Sequence, residues 1–196
     1  MQSAKTIIYF ATSHANKVKE FTSLIGDKLP NIEFKQINID LDEIQGEPIQ
    51  IAKAKCWDAS QKCCPVITED VSLCFNGWKG LPGPYVKSFL AKVGCDGLWN
   101  MIIPFEDKTA FAQCIYAISF NPKEEPMLFN GVVDGVIVAP RGDKNFGKLA
   151  GWDAIFQPKG KEMTFGEMEE KEKNEISHRS VAVNMLIEYL KKMQGS

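Results

Sequence analysis

The chain opens with a short apolar run, a polar turn and a helical pattern, and this order limits the fold more than any other feature. Residues 5–11 predict a β-strand, and residues 12–15 predict the turn into a helix. From Val18 to Ile25 the apolar side chains recur three and four residues apart, so one helical face packs against a core. Gly26 follows the last of them and predicts the end of the helix.

Strands and helices continue to alternate along the chain. Pro48 stands where a first helical turn would begin, and two strand-like runs near the end are joined by a polar loop, as in an antiparallel hairpin. This order predicts an α/β fold with a mixed sheet. The further predicted strands are 34–39, 65–68, 110–120 and 127–138, and the further predicted helices are 49–62, 85–93, 96–103 and 174–193.

Composition and charge exclude several classes of protein. The 196 residues are 44% apolar and 24% charged, as in an ordinary globular protein, and we expect one domain over residues 1–196. The 23 basic and 25 acidic residues give a net charge of −2, too little positive charge for tight binding to a long nucleic acid. No apolar run approaches the roughly 20 residues of a membrane span, so no membrane partner is expected. The six cysteines contain no C-x-x-C pair and predict buried, reduced thiols in a cytoplasmic protein.

The turn between the first strand and the first helix could bind an anion. A helix N-terminus presents unpaired N–H groups and a partial positive charge, which suit phosphate. The hydroxyls of Thr12 and Ser13 and the ammonium of Lys17 add donors at the same place. A hydroxyl residue before a helix is equally typical of a plain N-cap, so both interpretations stay open.

Acidic residues form a second candidate group. Glu69 and Asp70 follow the predicted buried strand 65–68, where two carboxylates are costly unless they are paired or bind a metal. Ligands of α/β sheets collect beyond the carboxyl ends of strands, and carboxylate oxygens suit Mg²⁺. For Asp42 and Glu47, further upstream, a surface position is the preferred interpretation.

The start of the last predicted helix supplies a third group. His178 and Arg179 are adjacent, and the chain has only one other arginine, Arg141. The planar, many-donor guanidinium is suited to recognising a ligand, although such a pair is as often structural. The charge-rich segment 167–173 before it predicts a solvated surface.

Taken in chain order, these segments resemble the inosine triphosphate pyrophosphatase family, and its eukaryotic branch in particular. The resemblance extends over nearly the whole chain. It rests on residues 12–20, QGEP at 45–48, ED at 69–70, LCFN at 73–76, GLPGPY at 80–85, APRG at 139–142, GWD at 151–153 and SHR at 177–179.

This resemblance implies a fold and an activity. The fold would be a long, twisted mixed β-sheet with flanking helices that form two lobes around a central cleft, in a homodimer. The activity would be hydrolysis of the non-standard purine nucleoside triphosphates ITP, dITP and XTP to the monophosphate and pyrophosphate. The cofactor would be Mg²⁺, with Mn²⁺ as an alternative ion.

The resemblance also implies roles for individual residues. Glu43 and Asp70 would hold the metal, and Asp70 would be the base for the attacking water, with Lys17 as a second catalytic residue. The triphosphate would be bound by Thr12, Ser13, His14, Ala15, Asn16, Lys17, Lys55 and Lys87, beside Asp70 and Val71, and the base would be enclosed by Phe146 or Trp152 with Gly151, Asp153, Lys173, His178 and Arg179.

The sequence departs from the family pattern at three places. Ser13 and His14 stand where the family usually has Gly-Asn, and the imidazole adds a titrating group to the turn. Val71 replaces a hydroxyl residue after the acidic pair, and residues 148–151 separate Phe146-Gly147 from Trp152-Asp153.

Two other functions remain open from the sequence. A non-catalytic nucleotide-binding module would be consistent with the replacements at His14 and Val71. A related pyrophosphatase acting on modified pyrimidine nucleotides is disfavoured by His178-Arg179 and by Trp152-Asp153.

Overall fold

The fold is a mixed α/β arrangement, as the sequence predicts. The computed structural model describes residues 5–142 and 151–194, and all statements on the structure refer to these residues. The strands are β1 (Thr6–Ala11), β2 (Ile32–Ile37), β3 (Val66–Phe75), β4 (Pro82–Gly83), β5 (Thr109–Ser119), β6 (Met127–Ile137) and β7 (Phe156–Pro158), and the helices are α1 (Ala15–Ile25), α2 (Pro48–Lys62), α3 (Val86–Ile102), α4 (Glu170–Ile176) and α5 (His178–Gln194).

Seven described strands form one sheet, in the order β2-β1-β3-β5-β6-β7, with β4 paired to β3. β1 runs parallel to both β2 and β3, because α1 and α2 provide the crossover connections that parallel strands require. β4 and β7 are antiparallel to β3 and β6. The mixed sheet is therefore confirmed, whereas the two lobes around a cleft stay a prediction.

The chain divides into two compact units. The first unit comprises Met1–Asp70, Cys114–Gly131 and Arg179–Ser196, and the second comprises Val71–Gln113 and Val132–His178.

Aromatic packing under α1 builds the core of the first unit. The Phe21 ring lies 5.0 Å from that of Phe10, 4.9 Å from that of Phe34 and 5.2 Å from that of Tyr116, within the usual range for aromatic pairs. This confirms the amphipathic helix predicted at 18–25. Because side chains alternate along a strand, Ala11 of β1 packs instead in the cluster that contains Ala59 of α2.

The core of the second unit combines α3 with β3 and with the segment that follows residue 150. Leu98 and Ile102 of α3 are fully buried with Phe75 of β3, and Phe156 and Phe165 complete the cluster. All six cysteines are free thiols, as predicted. Their predicted burial is confirmed for three of them, whereas the other three are half-buried.

Three predicted elements differ in the structure. The strand predicted at 65–68 continues to Phe75, because β4 pairs with Leu73 and Cys74 and buries them. The helix predicted over 174–193 is interrupted at Ser177, whose extended backbone (φ −70°, ψ 154°) separates α4 from α5. The short strands β4 and β7 were not predicted, since two or three residues show no alternation.

The two helices predicted at 85–93 and 96–103 form α3, with a non-helical residue, Gly94, between them. Its φ of 65° and ψ of −174° lie in a region that is essentially restricted to glycine. A Cβ atom built there meets nothing within 4 Å, so only backbone strain opposes a side chain.

We expect Gly94→Ala to lower the free energy of unfolding by about 1–3 kcal/mol, the usual cost of such backbone strain. Urea denaturation would measure it, with Lys92→Ala as the control, because Lys92 is an exposed residue on the same helix. A Gly94→Ala protein as stable as that control would contradict the prediction.

Candidate active site

The acidic pair lies at the carboxyl end of β1. In the parallel register Phe10 stands opposite Ile67, and β1 ends one residue later. Glu69 and Asp70 therefore lie beyond the end of β1, beside the turn of residues 12–14. They were expected after the end of their own strand, which is wrong, since both lie in the middle of β3. The ligand-binding position of an α/β sheet is created here by the shorter neighbour, β1.

Asp70 forms an ion pair with a lysine of α2. Lys55 Nζ lies 2.9 Å from Asp70 Oδ1 and 4.0 Å from Glu43 Oε2. Burial lowers the pKa of Lys55, but the charges of Asp70 and Glu43 outweigh this and raise it above its ordinary value. The structure thus brings both predicted metal ligands to one ammonium group.

The donor set fits a magnesium ion. Asp70 Oδ2 is a buried carboxylate oxygen without a hydrogen-bond partner among the described residues, so it has capacity for a ligand. Mg²⁺ in proteins takes one or two carboxylates and completes its shell with water and substrate phosphates. The described residues contain no group of three or more potential ligand side chains, so Asp70 and Glu43 would supply such a minimal set.

Glu69 points to the opposite face of the sheet from Asp70, because neighbouring residues of a strand alternate. Its side chain is fully buried and its Oε1 accepts a hydrogen bond of 2.7 Å from Arg179 Nε. Lys17 Nζ lies 3.5 Å from its Oε2 and donates to its backbone oxygen at 3.2 Å. Arg179 also pairs with Glu20 of α1. The two cations Lys17 and Arg179 and the two anions Glu69 and Glu20 therefore form one charge cluster.

The cluster keeps its buried groups charged. Burial raises the pKa of Glu69, but Arg179 and Lys17 together lower it below the ordinary value, so the carboxyl is ionised. Burial lowers the pKa of Arg179, and the charges of Glu69 and Glu20 more than reverse this. Glu20 had no predicted role. Glu69 was predicted to be either paired or bound to a metal, and the structure shows the paired alternative.

The turn before α1 is ordered by its own residues. His14 is the N-cap with extended backbone, and its N–H donates to Thr12 Oγ1 at 3.1 Å. The interpretation of Thr12 or Ser13 as the N-cap is therefore wrong: the N-cap is His14, which makes no side-chain capping hydrogen bond, and Thr12 accepts from the N-cap residue itself. Ala15 begins α1, so the first turn of this helix follows the carboxyl end of β1, and within that turn the Lys17 N–H donates to the His14 backbone oxygen at 3.1 Å.

Four residues that were expected to enclose the base lie together in the second unit. Lys173 Nζ is 2.5 Å from Asp153 Oδ2 and 5.6 Å from the centre of the Phe165 ring. The His178 ring lies 5.2 Å from that of Trp152 and 6.0 Å from that of Phe165. Phe165 and His178 are each only 2% exposed, so this group of rings is part of the buried core of the second unit. The sequence gave no signal for the position of Phe165, because an isolated aromatic residue is more often a core residue.

Trp152 is a core residue in the structure. It is only 6% exposed and packs edge-on against Phe156, which leaves little of its ring for a ligand. Phe146, the other residue predicted to stack on the base, lies outside the described residues.

The other described residues of the second unit that were predicted for the site are Val71, Lys87 and Gly151. Val71 packs against the buried core of this unit, and Lys87 is exposed on α3. Gly151 accepts a hydrogen bond from Cys95 Sγ at 3.0 Å. The charge-rich segment 167–173 is not wholly solvated, since Met168 is buried and Lys173 pairs with Asp153.

None of the described helices combines the length and the apolar character needed to cross a membrane.

Comparison with known proteins places the chain in a family. It is 25% identical to a HAM1 protein from Coxiella burnetii, with a TM-score of 0.82, 95% of this chain covered and 99% of the other. The Staphylococcus aureus Ham1 protein has 24% identity, a TM-score of 0.77 and coverages of 96% and 100%. A nucleoside-triphosphatase / dITP/XTP pyrophosphatase from Mycobacterium abscessus has 22% identity, a TM-score of 0.69 and coverages of 92% and 98%. A sequence model of the Ham1 family matches residues 8–189, and the chain therefore belongs to the Ham1 family.

Proposed function

We propose that this chain hydrolyses non-standard purine nucleoside triphosphates, namely ITP, dITP and XTP, to the monophosphate and pyrophosphate. Family membership supports the general class, and one of the similar structures is that of a dITP/XTP pyrophosphatase. The observation that carries the proposal is the position of Asp70. One of its carboxylate oxygens pairs with Lys55, which also faces Glu43, the other has no hydrogen-bond partner among the described residues, and the residue lies beyond the carboxyl end of β1.

Different residues of the first unit have different roles in the proposed reaction. The N–H groups at the start of α1 bind the phosphates, and Lys17 and Lys55 neutralise charge that develops on the phosphate oxygens. Asp70 accepts a proton from the attacking water, because its carboxylate is partly accessible, with 16% of the side chain exposed. Mg²⁺, or Mn²⁺ in its place, would be held by Asp70 and Glu43 and would neutralise phosphate charge.

Selection of the base rests on hydrogen-bond matching. A 6-keto purine offers an acceptor where adenine offers an amino donor. Donors of His178 and Arg179 would therefore match hypoxanthine and xanthine and mismatch adenine. Two nitrogens of Arg179 already bind Glu69 and Glu20, so its contribution would come from the remaining donors of the guanidinium.

A substrate panel tests the proposal. Purified protein with Mg²⁺ would be incubated with ITP, XTP, ATP, GTP and a modified pyrimidine triphosphate, and both pyrophosphate and orthophosphate would be assayed. We expect pyrophosphate from ITP and XTP, with kcat/KM about 10- to 100-fold above that of ATP, because one unmatched buried donor costs about 1–3 kcal/mol.

Three results would count against this function. Equal turnover of all purines, or orthophosphate as the sole product, would contradict it. A preference for the pyrimidine would favour the related pyrimidine enzyme, and micromolar binding of ITP without turnover would favour a non-catalytic module.

We further propose that the protein is a cytoplasmic homodimer. Light scattering of the purified protein would measure its oligomeric state.

A further inference from the structure

We propose that Glu69 is a positioning residue that fixes Lys17 for phosphate binding. This inference rests on the proposed function, because it deepens the role of the same site. Two observations support it: the contacts that Glu69 makes with Lys17, and the burial of its side chain. Because the carboxylate has no exposed surface, it acts on the reaction through Lys17 and does not touch the substrate.

Glu69 holds the Lys17 ammonium at two points. The backbone oxygen of Glu69 accepts a hydrogen bond from Lys17 Nζ at 3.2 Å, and its Oε2 lies 3.5 Å from the same atom. An ammonium has three N–H donors; one donates to the backbone oxygen, and the charge of the carboxylate, whose Oε2 accepts no hydrogen bond among the described residues, attracts the ammonium from a second direction. The remaining donors can then bind a phosphate oxygen. The Lys17 side chain is 27% exposed, as a group that both anchors and binds would be.

The other carboxylate oxygen of Glu69 has separate partners. Arg179 Nε donates to Oε1 at 2.7 Å, and the Cys114 thiol approaches the same oxygen at 3.6 Å. Arg179 therefore compensates the burial of this carboxylate, and Glu20 completes the charge balance. Because Arg179 Nε binds Oε1 directly, Glu69 does not depend on Lys17 alone for compensation, and the partly exposed Lys17 ammonium can also approach a phosphate.

A double-mutant cycle on turnover tests the positioning role. Glu69→Gln, Lys17→Met and the combined variant would be compared with the wild type for kcat and KM on ITP. In the wild-type background we expect Glu69→Gln to lower kcat/KM about 10- to 100-fold, as for residues that orient a ligand-binding group. In the Lys17→Met background the same substitution should lower kcat/KM by less than about threefold, because the group that it positions is already absent. Glu20→Gln, which breaks the cluster at Arg179 and leaves the contacts of Lys17, should cost less than Glu69→Gln. An equal loss in both backgrounds, or no loss, would overturn the role.

A second readout does not depend on turnover. Acetic anhydride labelling followed by mass spectrometry would compare Lys17 with Lys19, an exposed lysine of the same helix that serves as internal control. We expect Glu69→Gln to speed labelling of Lys17 relative to Lys19. If Glu69→Gln does not fold, Glu69→Gln/Arg179→Met removes the buried charge pair together and should give the same labelling change.

The two readouts separate this inference from the proposed function. Faster labelling of Lys17 in a protein whose wild type hydrolyses no triphosphate would support the positioning of Lys17 and reject the function. Turnover by the wild type with unchanged labelling of Lys17 would overturn the positioning role and leave the function standing.

Discussion

Asp70→Asn is expected to lower kcat for ITP about 10³-fold, within the range for loss of a general base. The amide has the shape of the carboxylate but cannot accept a proton from water, and it is a weaker ligand for a hard cation. Folding should survive, because the side chain is partly accessible and Lys55, its ion-pair partner, keeps 18% exposure through which water can solvate it. Steady-state pyrophosphate release and a thermal melt would measure the two effects.

Asp58→Asn is the matched control for this experiment. Asp58 also pairs with a lysine at 2.9 Å, on the same helix as Lys55, but both partners are more than 40% exposed. Such a surface pair contributes at most about 1 kcal/mol, and we expect its loss to leave turnover unchanged. If Asp70→Asn retained more than a tenth of the wild-type kcat, the reaction centre would have to lie elsewhere.

Local pattern was sufficient to predict the elements that build the site. The strand at residues 5–11 and the helical spacing from Val18 to Ile25 depend only on neighbours in sequence, and β1 and α1 have these positions. The acidic pair at 69–70 already marked Asp70 as a candidate, and the residue-by-residue likeness to a known family added Glu43 and Lys55. The structure places Asp70 and Glu43 beside the Lys55 ammonium. Their roles in catalysis stay predictions.

The buried charge cluster could not be predicted from local pattern. Arg179 and Glu69 are 110 residues apart in the chain, so no periodicity or spacing links them. Likewise, the full length of β3 depends on its pairing with β4, a strand of two residues. The break at Ser177 did have a local signal, since serine before a helix is a common N-cap, but the apolar spacing on both sides is compatible with one continuous helix.

Arg179→Met is expected to lower the free energy of unfolding by about 3–5 kcal/mol at neutral pH, the usual cost of leaving one partner of a buried ion pair uncompensated. Glu69 would keep only Lys17, at 3.5 Å, while its side chain stays fully buried. Arg141→Met is the control, because the chain has two arginines and Arg141 is 42% exposed with its carboxylate partner at 3.5 Å. We expect this control to cost about 1 kcal/mol or less, as measured by chemical denaturation.

The pH dependence identifies Glu69 as the source of that loss. In the wild type its pKa is lowered on folding, so its stabilising contribution is present above the carboxyl pKa of the unfolded chain and is lost as the pH falls through the folded value. In Arg179→Met the penalty comes from the ionised carboxylate, and protonation on acidification removes it. The difference in stability between the two proteins should therefore be largest near pH 7 and shrink toward pH 4. Glu69→Gln/Arg179→Met, which has no buried charge to compensate, should recover most of the stability at pH 7. A penalty that is independent of pH, or that persists in this double variant, would show that Arg179 stabilises the fold through packing and not through Glu69.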